Sequence, residues 1–291
     1  MLGPSLVYVL LAAAFLLSIP AASHTGLETW GSLAASSTAF VAMALNQFLA
    51  TRPKFLEGAF GGLDRMYRNH KTLGKIAFVL ILIHYFVTPV FEGKLLTSGL
   101  NSLAKDAAEI GFYLLMGLIG ISLFKKIPFT KLEIPYHLWR QSHRFIGVAF
   151  LFIAFHQMFI KRPFDGTALL AGYLNFFAVL GIASFLYTQL SPYLRRKNFE
   201  VTGVERKGGA TIMSAVPSGS PMKMLPGQFA VINFKKSGLK EPHPFTVAGH
   251  NGDGELKFAM KASGDFTKRV YDEVEVGDKL QVEGVEIGQT Q

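Results

Sequence analysis

The chain has 291 residues, half of them hydrophobic, with 29 Lys and Arg against 20 Asp and Glu and a net charge of +9. This composition is typical of a membrane protein with room for a soluble module. The basic residues cluster beside the apolar segments, as membrane topology predicts, which argues against nucleic acid as the partner. The chain has no cysteine, so disulfides, thiolate metal sites and Cys-ligated clusters are excluded.

The first two thirds of the chain contain six apolar segments that we interpret as membrane-spanning helices, since each approaches the length needed to cross a bilayer. They are 5–22, 31–50, 73–90, 108–124, 143–160 and 168–190. The first resembles the apolar part of a signal peptide, and Ala21-Ala22-Ser23 resembles a cleavage site. No basic residue precedes it, however, so we expect a retained helix.

Basic residues are concentrated in alternate links between these segments. The links after the second and fourth segments and the end of the sixth are rich in Lys and Arg, whereas the intervening links are poor in them. The positive-inside rule therefore predicts a multi-pass protein of the plasma (inner) membrane, in contact with lipid and with both termini in the cytoplasm.

Two of the segments carry a histidine near each end. His70 and His84 are fourteen residues apart, and His143 and His156 are thirteen apart. An imidazole inside an apolar span is costly without a partner, so each is a functional candidate. A helical rise separates the members by about 21 Å and about 19.5 Å, so two such helices would present an inner pair (His70, His143) and an outer pair (His84, His156). Neutral imidazole binds iron well, and this pattern suits two stacked haems with two axial histidines each.

A glycine follows the first histidine of each segment by four residues, at Gly74 and Gly147. Both lie one turn further on the same face, where a missing side chain would let a flat macrocycle approach the backbone. Thirteen residues leave His156 about 140° around an ideal helix from His143, so this helix must be distorted or its haems must meet it at different azimuths. The alternative is two hydrophobic helices with satisfied core or interfacial histidines.

Three arginines near the inner pair are candidates to neutralise haem propionates. They are Arg68, Arg140 and Arg144. The alternative, that they are topogenic charges at the lipid headgroups, applies equally to each.

After Asn198 the pattern changes to alternating apolar and polar residues with turn glycines, which predicts a small antiparallel β-barrel. We expect a hairpin turn at 207–209 and a short helix over 265–274 with Asp265 near its N-cap. The expected domains are a membrane domain at 1–196 and a barrel domain at 197–291. The predicted strands are 199–206, 210–216, 228–234, 244–248, 255–262 and 279–283.

Two motifs in the barrel indicate a nucleotide site. The run from Lys261 through Gly264, Asp265 and Phe266 to Thr267 combines a cation, a glycine turn and a helix N-terminus, an arrangement that favours a phosphate anion. The other motif, His-Pro-Phe-Thr at 243–246, is weak alone, because an edge strand after a proline would also explain it.

Together these motifs resemble the ferric reductase and NADPH oxidase superfamily of transmembrane electron-transfer flavocytochromes. The four histidines match that family's bis-haem pattern, and 243–246 matches its flavin motif. Residues 260–267 match its second flavin segment, and Pro226-Gly227-Gln228-Phe229 matches the strand before it. The resemblance implies a six-helix transmembrane bundle that binds two b-type haems, followed by an FAD-binding barrel.

The resemblance also implies roles for the barrel residues. His243 belongs to the flavin motif, in which Pro244, Phe245 and Thr246 would line the isoalloxazine and ribityl part of FAD. The pyrophosphate would be held by Lys261, Gly264, Asp265, Phe266 and Thr267.

Two departures from the family bear on function. In the family a nicotinamide-binding domain follows the barrel, whereas here 285–291 do not continue the pattern and no G-x-G-x-x-G occurs. Three explanations are open: a truncated chain, a degenerate paralogue, or dependence on an external electron donor domain or a separate NAD(P)H-dependent reductase. We expect the external donor. Oxygen-reducing members tend to have a histidine one turn beyond the outer haem ligand, where this chain has Thr88.

The predicted function is transmembrane electron transfer from cytoplasmic FAD through two haems to an outer acceptor, expected to be a ferric chelate. The alternatives are reduction of oxygen to superoxide, a non-catalytic haem relay subunit, and a scaffold without haem. No side chain is assigned a catalytic role, because the redox chemistry belongs to the cofactors.

Overall fold

The computed structural model divides the chain into two compact units, residues 1–188 and 189–291. The first unit is helical and the second is built mainly of β-strands. The structure describes residues 2–22, 25–123, 134, 136–163, 166–222, 224, 226–250 and 253–285. Of the segment 285–291 that departs from the family pattern, residues 286–291 lie outside these ranges, as does Ser23 of the expected cleavage site.

The described part of the helical region contains eight α-helices and one small strand pair. The strands are β1 (Leu95–Leu96) and β2 (Arg162–Pro163), which pair antiparallel. The helices are α1 (Leu2–Ala22), α2 (Leu27–Ala50), α3 (Lys54–Phe60), α4 (Leu63–Phe86), α5 (Asn101–Leu123), α6 (Tyr136–Arg144), α7 (Ile146–Phe159) and α8 (Ala168–Arg195).

Three of the described helices are long and apolar enough to cross a membrane: α1, α2 and the part of α8 from Ala168 to Ser191. The other three predicted segments coincide with α4, α5 and the α6–α7 pair. Helix α4 begins ten residues before the predicted start and includes Lys71 and Lys75, and α7 has only 14 residues. Length and composition thus establish three of the six predicted spans.

Helix α2 lies at the centre of the helical unit, because its residues from Phe40 to Leu45 are all buried. It packs against α1 and α4, and α5 packs against α7. Small residues on α2, such as Ala39, Ala42 and Ala44, allow its neighbours to approach closely. Phe40 stacks on the fully buried Phe150 of α7, with ring centroids 5.4 Å apart.

The predicted continuous helix over 143–160 is interrupted at Phe145, between α6 and α7. The amide of Phe145 bonds to the carbonyl of Ser142, and the amide of Val148 bonds to the carbonyl of Phe145. Such three-residue bonds tighten the turn relative to an α-helix. Of the two alternatives that the thirteen-residue spacing left open, the structure shows a distorted helix.

The second unit confirms the predicted antiparallel barrel. Six strands close in the order β3-β4-β7-β6-β5-β8, and every pairing is antiparallel. The strands are β3 (Arg196–Lys207), β4 (Ala210–Pro217), β5 (Phe229–Phe234), β6 (His243–His250), β7 (Leu256–Lys261) and β8 (Lys279–Val285), and helix α9 (Asp265–Glu273) precedes β8.

Local sequence explains both the strands and the turns of the barrel. Buried and exposed residues alternate along β7, so every second side chain enters the core. Gly208 and Gly209 both have positive φ, as the predicted two-residue hairpin between β3 and β4 requires. The predicted helix also forms, with Gly264 at its N-cap position and Asp265 next to it as the first helical residue.

Candidate functional site

The inner histidines lie close together. His70 lies on α4 and His143 on α6, with ring centroids 6.1 Å apart and ring planes at 61°. At the other end of α4, His84 lies close enough to His156 of α7 to interact with it electrostatically. The structure therefore brings the four histidines together as the two pairs that the sequence predicted.

Both outer rings have a hydrogen-bond partner at Nδ1. His84 Nδ1 lies 3.0 Å from the hydroxyl oxygen of Ser32 on α2, a side chain that is only 1% exposed. His156 Nδ1 donates to the main-chain carbonyl of Ala104 on α5, also at 3.0 Å. These partners restrain each ring. At His156, where Nδ1 must donate to a carbonyl, Nε2 is left as the nitrogen with an available lone pair.

The inner rings have equivalent partners. His143 Nδ1 lies 3.1 Å from the hydroxyl oxygen of Ser122 on α5, and His70 lies close enough to the main chain of Asn46 on α2 to interact with it. The indole of Trp139 stacks on His143 at 5.3 Å, and its N–H donates to the main-chain carbonyl of Ser122. The ring of His143 is thus fixed both along its plane and across its face.

These pairs fit bis-histidine haem ligation. Metal-binding histidines usually donate their second ring N–H to a carbonyl or another acceptor, which fixes the ring and makes it more basic. Within the described ranges no group of three or more His, Asp or Glu could hold a metal ion directly. A haem needs only two axial residues, because the macrocycle supplies the other iron ligands.

Two buried polar atoms near these pairs also have no hydrogen-bond partner among the described residues. Asn46 Oδ1 lies on the residue that contacts His70, and Gln157 Oε1 lies next to His156 in the chain. Buried polar atoms normally have hydrogen-bond partners, so a bound group or a water molecule next to Asn46 Oδ1 and Gln157 Oε1 would supply them.

The two glycines differ from each other in their surroundings. A methyl group at Gly74 would lie 3.4 Å from the side-chain nitrogen Nδ2 of Asn46, which is an ordinary van der Waals contact. At Gly147 it would lie 2.1 Å from the ring of Phe185 on α8. The interpretation of Gly147 as the place where a macrocycle approaches is therefore wrong in this structure, because an aromatic side chain already fills that space.

The three candidate arginines lie at different angles to the inner pair. Arg140 lies on α6 three residues before His143, so the two share a helix face. Arg144 immediately follows His143, and Arg68 precedes His70 by two residues, so both are turned away from the neighbouring histidine. The backbone geometry therefore favours Arg140 for a contact with a group at this pair.

In the barrel, the structure places the two flavin motifs side by side. The ring of Phe266, in the first turn of α9, lies 3.9 Å from the ring of His243 and 6.1 Å from that of Phe245. Pro244 and Thr246 alternate with these residues along β6 and are exposed. His243 Nε2 is buried without a hydrogen bond among the described atoms, 3.6 Å from a carboxylate oxygen of Glu241.

The N-terminus of α9 has fewer free amides than the sequence suggested. The Thr267 hydroxyl oxygen accepts hydrogen bonds from the amides of Ser263 and Gly264, both at 3.0 Å. The amide of Gly264 is therefore already used within the turn. The next amides, from Asp265 to Thr267, begin the helix and face the end where an anion is favoured.

Lys261 ends β7 four residues before α9 and is exposed, as a residue that binds a phosphate from solution must be. A flavin nucleotide would fit this surface of the barrel. The surface consists of the exposed side of β6, His243 Nε2, Lys261 and the start of α9. Asp265 adds an exposed carboxylate beside this site, which would disfavour a diphosphate there.

The residues that contact the histidines were not among the predicted site residues. They are Ser32, Ser122, Trp139 and the main chain of Asn46 and Ala104. The available signal was a hydroxyl side chain within an apolar helix, as at Ser32 and Ser122. That signal is weak, because serine also bonds within its own helix, as Ser36 does to the carbonyl of Leu33.

Comparison with known families adds an independent observation. A family model described as the ferric reductase like transmembrane component matches residues 35–154, and one described as an FAD-binding domain matches residues 196–286. Residues 35–154 thus belong to the ferric reductase-like transmembrane family and residues 196–286 to the FAD-binding domain family, a combination consistent with the ferric reductase and NADPH oxidase superfamily. Together with the apolar helices, these matches indicate an integral membrane protein with an FAD-binding barrel.

The comparisons with individual proteins are less informative. A search of curated proteins gave no match. A ferredoxin reductase in carbazole 1,9a-dioxygenase is 24% identical, with a TM-score of 0.28, over 31% of this chain and 28% of that one. Flavohemoglobin from Malassezia yamatoensis with bound FAD and heme is 14% identical, with a TM-score of 0.31, over 84% of this chain and 58% of that one. This chain thus spans less than two thirds of either protein, and neither likeness assigns a function.

Proposed function

We propose that this ferric reductase-like chain carries electrons across the membrane from FAD in its barrel, through two b-type haems, to an acceptor on the outer side. His70 and His143 would hold the inner haem, and His84 and His156 the outer one. The observation that carries the proposal is the pair of histidine sites about 21 Å apart along α4, with a hydrogen-bond partner at His84, His143 and His156 and a main-chain interaction at His70. When bound, the cofactors supply one-electron transfer, so the two electrons of one reduced flavin would reduce two ferric ions.

The chain's own residues bind and orient these groups. The four imidazoles supply axial ligands, and Arg140 is placed best to neutralise a propionate of the inner haem. The alternation of basic residues supports cytoplasmic termini, with the His84–His156 pair on the outer side. Electrons would reach the flavin from a donor domain or a partner reductase that oxidises NAD(P)H.

A ferric chelate is the proposed acceptor because of the charge on the outer links. Strands β1 and β2 pair these links, which brings Lys94, Lys161 and Arg162 onto one small ribbon. The Arg162 guanidinium is half-buried and donates to the carbonyls of Gln157 and Met158 at the end of α7, close to His156 in the chain. A cationic ribbon of this kind attracts anionic chelates such as ferric citrate.

The haem content tests the proposal most directly. Pyridine haemochrome titration of the purified chain is expected to give two haems per chain, and His84→Ala is expected to give one. His250→Ala, which changes a histidine outside both pairs, is the matched control and should keep two. Less than one haem per chain in well-folded wild type would refute the proposal.

Reoxidation kinetics test the acceptor. The protein is reduced with dithionite, freed of excess reductant and mixed with ferric citrate or with dissolved oxygen. We expect faster haem reoxidation by ferric citrate, because Thr88 offers only a neutral hydroxyl where oxygen-reducing relatives tend to have a histidine. Faster reoxidation by oxygen, with superoxide formed in proportion, would instead support an oxidase.

A further inference from the structure

In each pair, one histidine contacts the side-chain hydroxyl of a serine. The Ser32 hydroxyl of α2 donates to the main-chain carbonyl of Val87 and lies 3.0 Å from His84 Nδ1. The Ser122 hydroxyl of α5 donates to the carbonyl of Leu118 at 2.8 Å and lies 3.1 Å from His143 Nδ1. The same arrangement thus occurs once at the outer pair and once at the inner pair.

These contacts determine which ring nitrogen carries the proton. A serine hydroxyl has one hydrogen, and two oxygens this close require it to lie between them. Because the hydrogens of Ser32 and Ser122 point at carbonyls, their oxygens must accept from the imidazoles. Nδ1 of His84 and of His143 therefore bears the hydrogen, and Nε2 keeps the lone pair that binds a metal.

The remaining histidine of each pair has a different kind of partner. His156 bonds to the main chain of Ala104, and His70 interacts with the main chain of Asn46. Each pair therefore combines one histidine whose partner is the main chain, which the fold fixes, with one that contacts a hydroxyl, which a single substitution can remove. His84 also has a main-chain interaction with Ser32, which Ser32→Ala would leave in place. The hydroxyl is the element that can differ between the two sites without changing the fold.

We infer that Ser32 and Ser122 are positioning residues that set the reduction potentials of the outer and inner haem separately, by accepting a hydrogen bond from one axial imidazole of each. This inference rests on the proposed function. A hydrogen bond from Nδ1 makes the imidazole a stronger donor through Nε2, and a stronger donor stabilises ferric over ferrous iron. Loss of the hydroxyl should therefore raise the potential of the haem concerned and leave the other unchanged.

Spectroelectrochemical titration of the full chain tests this inference. We expect Ser32→Ala to raise only the outer potential and Ser122→Ala to raise only the inner one. Ser36→Ala is the matched control, because the Ser36 hydroxyl bonds to Leu33 of its own helix. The two haems are assigned in the His84→Ala background, where Ser122→Ala should still raise the potential of the remaining haem and Ser32→Ala should not.

Further variants separate the hydrogen bond from packing. Ser→Thr at either position retains the hydroxyl and should restore the wild-type potential, whereas Ser→Cys retains the approximate size with a weaker acceptor and should give a smaller rise. Wild type with fewer than two haems would refute the proposed function itself. Wild type with two haems, and alanine and cysteine variants that titrate like wild type, would overturn only the role of the serines.

Discussion

A pair of glycine substitutions in one helix gives the sharpest test of the packing around the histidine helices. A methyl group at Gly181 of α8 would lie 2.5 Å from two ring atoms of Phe150 and 3.2 Å from Cα of Ala44 on α2. Phe150 is fully buried and stacks on Phe40. A methyl group at Gly172 of the same helix would have no atom outside its own helix within 4 Å.

The expected difference between the two variants follows from these distances. Carbon atoms pack at about 3.5–4.0 Å, so Phe150 or the helix must move by about 1 Å to accept Gly181→Ala. Overpacking of this kind costs about 1–3 kcal/mol. Both substitutions gain a similar helix propensity of about 0.8–1 kcal/mol, which cancels in the comparison. Gly181→Ala should therefore be less stable than Gly172→Ala by about 1–3 kcal/mol.

Reversible unfolding in mixed detergent micelles, followed by tryptophan fluorescence, measures this difference. Phe150→Leu combined with Gly181→Ala should cost less than the sum of the single changes, because the smaller side chain relieves the contact. Equal stability of Gly181→Ala and Gly172→Ala would refute the packing described here, as would strict additivity of the double variant.

Three other predictions follow from the two sites. Gly147→Ala should lower stability, because an aromatic ring occupies that space, while haem content per folded chain in the haemochrome assay stays unchanged. Lys261→Ala should weaken FAD binding several-fold in calorimetry, because it removes a cation facing a diphosphate; unchanged affinity would contradict that placement. Arg269 lowers the pKa of the Glu273 carboxyl, so its small contribution to stability is present above about pH 4 and disappears as pH falls through the lowered native pKa. Glu273→Gln should therefore reduce the loss of barrel stability on acidification, measured by denaturant midpoints on either side of that pH.

The barrel could be predicted almost strand by strand because its signals are local. Alternation along the chain sets which side chains enter the core, and Gly208 and Gly209 fix the first hairpin without reference to distant residues. The helical unit was harder to predict. Hydropathy placed the start of α4 too late, because its first turns carry charged residues such as Asp64 and Arg65 on an otherwise regular helix.

The candidate site was predictable in its histidines but not in what holds them. The spacing of the four histidines can be read directly from the sequence, whereas their hydrogen-bond partners come from other helices. Ser32 is 52 residues from His84, and Ala104 is 52 residues from His156. Such contacts depend on which helices pack together and at what offset, and neither composition nor periodicity determines these.

The break at Phe145 gives the thirteen-residue spacing a physical meaning. A tighter turn advances about 120° per residue instead of about 100°, so two or three such residues recover about 40–60° of the roughly 140° mismatch. Helix α4, in contrast, is continuous from Leu63 to Phe86, so the positions of His70 and His84 relative to each other are fixed by a single helix. One histidine of each pair is therefore set by a rigid helix and the other by a short helix of its own, so His143 and His156 can be oriented independently.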